Sequence, residues 1–381
     1  MAGETPITWR QKLRAGAPWI VGTLAALGIG GFLVAWSGLF NVAASSGHWS
    51  VTTAILEFGL ESSVRTQSIG IDPPPLDDDG LARLGANHFA TGCAPCHGAP
   101  GVERSPIVRN MLPEPPRLGG AIERWDLAEL YWVVSHGLKF TGMPAWPAEE
   151  RRDEVWALVA FLKQVPDMTP GEYRRLTGRP SADLATLSGS GDESPLSEAI
   201  AACGQCHEAE GLPPIDERVP ALAGQHAAYL RAALHDYASG VRASGMMQPV
   251  AARLDDDLIA ELSTYYAALP AIRGGDSSGS GSVERGRRIA EAGVPADRIP
   301  PCLSCHGDGK RDLFPRLEGQ SATYIAGQLR LFAEGIRGGT PSAEIMQAVA
   351  RRLDDEQIAD VAAFFANAGE TGASEAAEAG Q

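Results

Sequence analysis

The chain has 381 residues, a formal net charge of −15, 44% hydrophobic residues and 21% charged residues. These values belong to folded protein and exclude wholesale disorder. The acidic balance excludes the basic face that a nucleic-acid binder needs, and six cysteines are too few for a disulfide-built scaffold.

At the amino terminus, Arg10, Lys12 and Arg14 precede a stretch from Ala15 to Leu56 without Asp, Glu, Lys or Arg. Within it, Pro18–Phe40 is strongly apolar and exceeds the roughly 20 residues that cross a bilayer as a helix. A cleaved signal has an apolar region of only about 7–15 residues. Val42-Ala43-Ala44-Ser45 would suit a cleavage site, but the length favours an uncleaved, single-pass anchor, with stub and span in 1–45. The basic residues keep the first end in the cytoplasm. The remainder is expected on the periplasmic side of the inner membrane. Residues 46–79 form a connector, with a short surface helix predicted near 50–65.

The six cysteines then fall into three copies of one pattern: Cys93-Ala-Pro-Cys96-His97, Cys203-Gly-Gln-Cys206-His207 and Cys302-Leu-Ser-Cys305-His306. C-x-x-C-H reads as a site of c-type haem attachment. Two thiols about one helical turn apart can each form a thioether with a vinyl group, and the next histidine lies under the iron. A zinc site would need about four ligands from neighbouring pairs, and these pairs are far apart in sequence. A redox dithiol would expect a βαβ context, whereas the flanks look helical.

Each motif is followed by P-x-L-x-G, at Pro116, Pro220 and Pro315. A proline carbonyl there is a natural acceptor for the second ring N–H of a ligating histidine; a plain turn is the alternative. Gly-Gln225-x-x-x-Tyr229 and Gly-Gln320-x-x-x-Tyr324 continue the last two copies. They read either as haem-edge contacts or as helix starts. Met247 and Met346 open matching Met-Gln-x-Val-Ala-x-Arg-Leu-Asp-Asp segments at the same distance from their first cysteine. That register makes them the candidate distal ligands, with Met246 a competitor beside Met247. In the first copy the candidate is Met143, in Thr-Gly-Met-Pro-Ala-Trp; Met111 and Met168 are weaker. The alternative for each methionine is gap-filling core packing. His48, His88, His136, His226 and His235 read as surface or packing residues, with His88 and His136 the best candidates for exceptions.

Helical spacing of apolar residues predicts helices at 126–135, 154–164, 227–238, 256–268, 323–334 and 355–366. The predicted organisation is three haem units at 80–170, 196–270 and 283–367. Linkers occupy 171–195 and 271–282, and a disordered tail occupies 368–381. The middle unit has only a short helix before its motif. It also carries ten acidic against four basic residues, so the negative charge is concentrated there.

On these motifs each unit resembles a class I cytochrome c. Residues about 196–367 are similar to the tandem two-haem cytochromes of the c4 type. Residues about 80–170 are similar to single-haem domains of membrane-attached cytochromes, through Cys96-His97-Gly-Ala-Pro-Gly and Thr-Gly-Met143-Pro-Ala-Trp146. The resemblance implies an all-α fold of three tandem cytochrome c domains behind one transmembrane helix. It implies three covalent haem c groups and electron transfer without a small-molecule substrate. Implied partners are a quinol:cytochrome c oxidoreductase or dehydrogenase on one side and a terminal oxidase on the other. Two other readings stay open: an electron-accepting subunit of a periplasmic dehydrogenase, which a c4-like pair fits less well, and a peroxidase-like haem enzyme with one labile methionine.

Overall fold

The computed structural model describes residues 9–39, 41–178, 194–207, 213–271, 281–307 and 309–378. Among these residues the fold is all-α, with isolated β-bridges but no strand. Helix α1 (Trp9–Ser37) contains the apolar span Gly16–Ser37, long and apolar enough to cross a membrane and not buried by the rest of the chain. Helix α2 (Ser50–Gln67) follows the connector. Its carboxyl half is fastened to the first unit: Val64 is buried, Arg65 reaches Glu129 at 3.8 Å and Glu61 reaches Arg124 at 3.4 Å. Its amino half leaves Val51, Ile55 and Phe58 exposed.

The first unit is built from α3 (Asp79–Gly92), α4 (Leu127–His136), α5 (Arg152–Leu162) and α6 (Pro170–Thr177). Side chains fix the helix starts. Asp78 accepts from the N–H groups of Gly80 and Leu81, and Asp126 with Glu129 forms a capping box. Helices α3 and α5 cross at Gly85, where a Cβ would fall 2.0 Å from Ala157 O. Phe89 and Phe161, with ring centroids 5.0 Å apart, fill the core, and Trp156 stacks on Tyr131 at 4.3 Å. Residues 171–177, expected as linker, instead belong to this unit. Thr169 and Glu172 form a second capping box, and the buried Tyr173 packs edge-on to Phe89. The remainder of that linker, 179–193, lies outside the described residues.

The second unit comprises α7 (Pro195–Cys203), α8 (Ala227–Ala238), α9 (Met247–Ala251) and α10 (Asp256–Ala268). Helix α7 buries no residue, and the core cluster contracts to Leu230, Leu262 and Tyr266. The third unit comprises α11 (Val283–Ala292), α12 (Ala322–Ala333), α13 (Pro341–Ala350) and α14 (Asp355–Glu378). Helices α11 and α14 repeat the first unit's crossing: a Cβ at Gly286 would fall 1.9 Å from Asp360 O. Residues 368–378, expected as disordered, continue α14 as helix, because their Ala and Glu content is strongly helix-forming. Residues 272–280 of the second linker and 379–381 of the tail lie outside the described residues.

Polar contacts join the first unit to the second and the second to the third. Arg218 pairs with Asp78, and Arg83 Nη1 donates to Ile215 O at 3.5 Å. Between the second and third units, Gln225 donates to Arg316 O at 3.0 Å and accepts from Arg316 N–H at 2.8 Å. Gln320 donates to Ala221 O at 2.7 Å and accepts from Ala221 N–H at 3.0 Å. The middle unit is therefore held at both ends.

Candidate functional site

Each cysteine motif is wound into a helical turn by its own backbone. The N–H groups of His97, His207 and His306 donate to the carbonyls of Cys93, Cys203 and Cys302 at 2.9, 3.0 and 2.9 Å. The six cysteines are free thiols, all half-buried. Burial pushes the Cys93 thiol up to about 12 and Cys302 to about 11, and raises Cys203 as well. A reactive dithiol would need the opposite shift. Among the described residues no group of three or more His, Cys, Asp and Glu side chains could hold a metal ion.

The three histidines share one geometry. Nδ1 of His97, His207 and His306 donates to the carbonyl of Pro116, Pro220 and Pro315, each at 2.9 Å. A carbonyl can only accept, so Nδ1 carries the hydrogen and Nε2 keeps its lone pair. Burial lowers all three pKa values, against the opposing pull of the proline carbonyl. A neutral imidazole of fixed tautomer and orientation is the form that ligates iron.

In the second and third units the histidines open on a shared cavity of about 440 Å³. It is lined by Cys203, His207 and Met247 from one unit and by Cys302, His306 and Met346 from the other. Two guanidiniums, the buried Arg242 and the half-buried Arg337, also line it, and neither has a carboxylate within 4 Å among the described residues. Arg242 donates to Tyr229 OH at 3.4 Å and Tyr324 OH at 3.3 Å; Arg337 donates to Tyr229 OH at 3.1 Å. Burial alone would raise the Tyr229 phenol, but the two arginines pull it down to about 8. An apolar cavity with free thiols, lone-pair imidazoles, thioethers and two arginines facing the single carboxylate of Asp236 fits haem groups, whose carboxylates would balance the remaining positive charge.

The methionines are placed differently. Met247 and Met346 line the cavity, whereas Met246 packs against the hydrophobic core of the first unit. Met143 lies half-buried in the loop after α4, held by Leu138 N–H donating to Met143 O at 3.2 Å. Met111 abuts this loop, since a Cβ at Gly142 would fall 2.4 Å from its methyl group, and Met168 packs on the first core. Gln225 and Gln320, read from sequence as haem-edge or helix-start residues, line this cavity and also bridge the second and third units. Sequence reading missed Arg242 and Arg337, although Ala238-Ser-Gly-Val-Arg242 and Ala333-Glu-Gly-Ile-Arg337 repeat visibly. It also missed Glu154, which the first unit buries at its junction with the second. His88 packs at a tilt against Trp146, with centroids 4.8 Å apart, and burial holds its pKa down to about 4.

Parts of the chain are similar to known proteins. The family described as "Cytochrome C oxidase, cbb3-type, subunit III" matches residues 80–162, and the family described as "Cytochrome c" matches residues 283–368. The "Thiosulfate dehydrogenase electron acceptor" of Stutzerimonas stutzeri (strain A1501) is 37% identical over 179 residues, which cover 45% of this chain and 81% of that protein. "Cytochrome c4" of Pseudomonas aeruginosa is 32% identical over 46% of this chain and 88% of its own length. A solved structure of Acidithiobacillus ferrooxidans cytochrome c4 is 36% identical over 43% of this chain and 98% of its own, with a TM-score of 0.39.

Proposed function

The chain belongs to the class I c-type cytochromes, with a diheme c4-like part and covalently bound haem c, and on that premise we propose a membrane-anchored periplasmic relay of three haems. Cys93 with Cys96, Cys203 with Cys206, and Cys302 with Cys305 provide the thioether links. His97, His207 and His306 are the proximal ligands, and Met143, Met247 and Met346 the distal ones. The observation that carries this reading is the thrice-repeated histidine–proline bond at 2.9 Å, joined in two units by a methionine in the same cavity. A haem iron with both axial positions filled exchanges single electrons and has no open position for substrate. The protein orients each imidazole through a proline carbonyl, buries the site, and sets Arg242 and Arg337 where carboxylate charge needs balancing. Helix α1 anchors the relay in the inner membrane, with a quinol-oxidising complex or dehydrogenase as donor and a terminal oxidase as acceptor.

A test of the ligand set is carbon monoxide binding to the reduced protein. The native chain is expected to bind none, and Met143→Ala, Met247→Ala and Met346→Ala to open one binding site each. Rapid binding by the unaltered protein overturns the relay and favours a peroxidase-like enzyme.

A specific observation favours a second reading of the donor. The similarity to a thiosulfate dehydrogenase electron acceptor in a c4-like protein supports a periplasmic dehydrogenase feeding the chain, so a c4-like pair suits that role better than sequence alone implies. Likewise the match of the first unit to a cbb3-type oxidase subunit supports an oxidase as the outlet. Stopped-flow reduction by a thiosulfate dehydrogenase and by a quinol-oxidising complex separates the two donors. The true donor reduces the chain at a rate rising with donor concentration.

A further inference from the structure

The first unit reaches into the methionine loop of the second. Glu154, in the first turn of α5, is 6% exposed. Its Oε1 accepts from Ser244 Oγ at 2.6 Å and meets the Arg151 guanidinium at 2.9 Å. Its Oε2 accepts from Gly245 N–H at 2.6 Å and from Trp146 Nε1–H at 3.3 Å. Arg151 also donates to Ala243 O at 2.9 Å. Ser244 Oγ in turn accepts from Met247 N–H at 3.0 Å. A Cβ on residue 245 would lie 2.1 Å from Trp146 Nε1, so glycine is what lets the loop come this close.

The internal repeat provides a control. At the matching register the third unit has Ala343, Glu344 and Ile345 before Met346, and Ile345 is 55% exposed. In the second unit, Ser244, Gly245 and Met246 stand at those three positions, and all three meet the first unit. An apolar contact would join two units as firmly. A buried carboxylate, costly unless its acceptor positions are filled, instead fixes the angle and depth of the loop through two directed hydrogen bonds, to Ser244 and Gly245, while Arg151 and Trp146 of its own unit hold it in place.

We propose that Glu154 is a positioning residue for the middle unit's axial methionine: by holding Ser244 and Gly245, the docked first unit sets where the Met247 thioether lies. The inference rests on Met247 being an axial ligand, as proposed above. It makes ligation in the middle unit depend on contact with the first.

The test uses the full-length, haem-loaded protein in its reduced state. Each iron-bound methionine gives its own methyl proton resonance, shifted far from the rest of the spectrum by the haem ring current. Met247→Ala identifies the Met247 resonance by abolishing it. Glu154→Gln keeps one acceptor oxygen and places an amide donor against the donor of either Gly245 or Ser244, and Ser244→Ala removes only the hydroxyl that holds Met247 N–H. Both variants are expected to shift, broaden or abolish the Met247 resonance and to lower one of three midpoint potentials. The other two resonances and potentials are expected to stay in place. Unchanged resonances and potentials in both variants overturn the inference while leaving Met247 as ligand. Should Met247→Ala abolish no resonance, the ligand assignment itself fails, which is a different result. If Glu154→Gln does not accumulate, Ser244→Ala decides by the same criterion.

Discussion

At the scale of single residues, burial decides charge. His88 packs on Trp146 in the first unit, where desolvation holds its pKa down to about 4, against 6.5 for a free histidine. The unfolded chain therefore takes up a proton near pH 6.5, and the folded chain resists until about pH 4. Stability from the neutral ring is complete above about 6.5 and is lost as pH falls through that window. Between pH 7 and pH 5 the loss is expected to be on the order of 1–2 kcal/mol. Denaturant unfolding of the haem-loaded protein at the two pH values, followed by tryptophan fluorescence, checks it; His88→Phe is expected to remove most of the difference. The haem residues themselves were legible in sequence because their chemistry dictates spacing: two thiols a turn apart, then a histidine. The proline carbonyls were legible for the same reason, as a second demand of the histidine. Glu154 was not, because nothing local marks it. Its partners Ser244 and Gly245 lie about ninety residues away and meet it only through folding.

At the scale of elements, the first and third units use one device. In each, the opening helix crosses a later one at a glycine, Gly85 where α3 meets α5 and Gly286 where α11 meets α14, with backbone carbonyls filling the space a side chain would take. Backbone cannot swing aside, so Gly85→Ala and Gly286→Ala are expected to cost about 1–3 kcal/mol by overpacking, despite alanine's better helix propensity. Gly59→Ala, in open space on α2, is expected to cost nothing. Thermal unfolding of the three variants compares them directly. Helical periodicity located α4, α5, α8, α10, α12 and the start of α14 within a few residues but not α3, α9, α11 or α13, and the P-x-L turns followed the motifs. Helix α6 escaped notice because its apolar content is small; its capping box and Tyr173 secure it instead. The end of α14 escaped for the reverse reason, since an Ala/Glu-rich segment reads as solvated tail and as helix alike.

For the whole molecule, the charge distribution and the chain of contacts point to the middle unit. Asp255, Asp256, Asp257 and Glu261 stand exposed at the start of α10. An acidic face of this kind speeds encounter with a basic redox partner, and salt screens it within about 8–10 Å. The second-order rate of electron exchange with a basic partner is expected to fall severalfold between low and physiological ionic strength. A rate insensitive to salt would remove this face from the docking scheme. The middle unit also has the smallest core of the three, with Leu230, Leu262 and Tyr266 buried together. Its integrity leans on its neighbours and on covalently bound haem, as expected for units with little core of their own. Three units in tandem were legible from the repeated motifs. Their mutual grip was not, since it joins side chains to partners far away in the sequence, such as Arg218 to Asp78 and Gln225 to Arg316.

The glutamine clasp between the second and third units gives that grip a symmetry. Each glutamine grasps the residue just after the proline that steadies the opposite histidine: Gln225 holds Arg316, beside Pro315, and Gln320 holds Ala221, beside Pro220. The same patch on each unit thus answers to its counterpart, as in a two-fold homodimer, although one covalent chain supplies both halves. A change in either glutamine is felt first at the other unit's histidine.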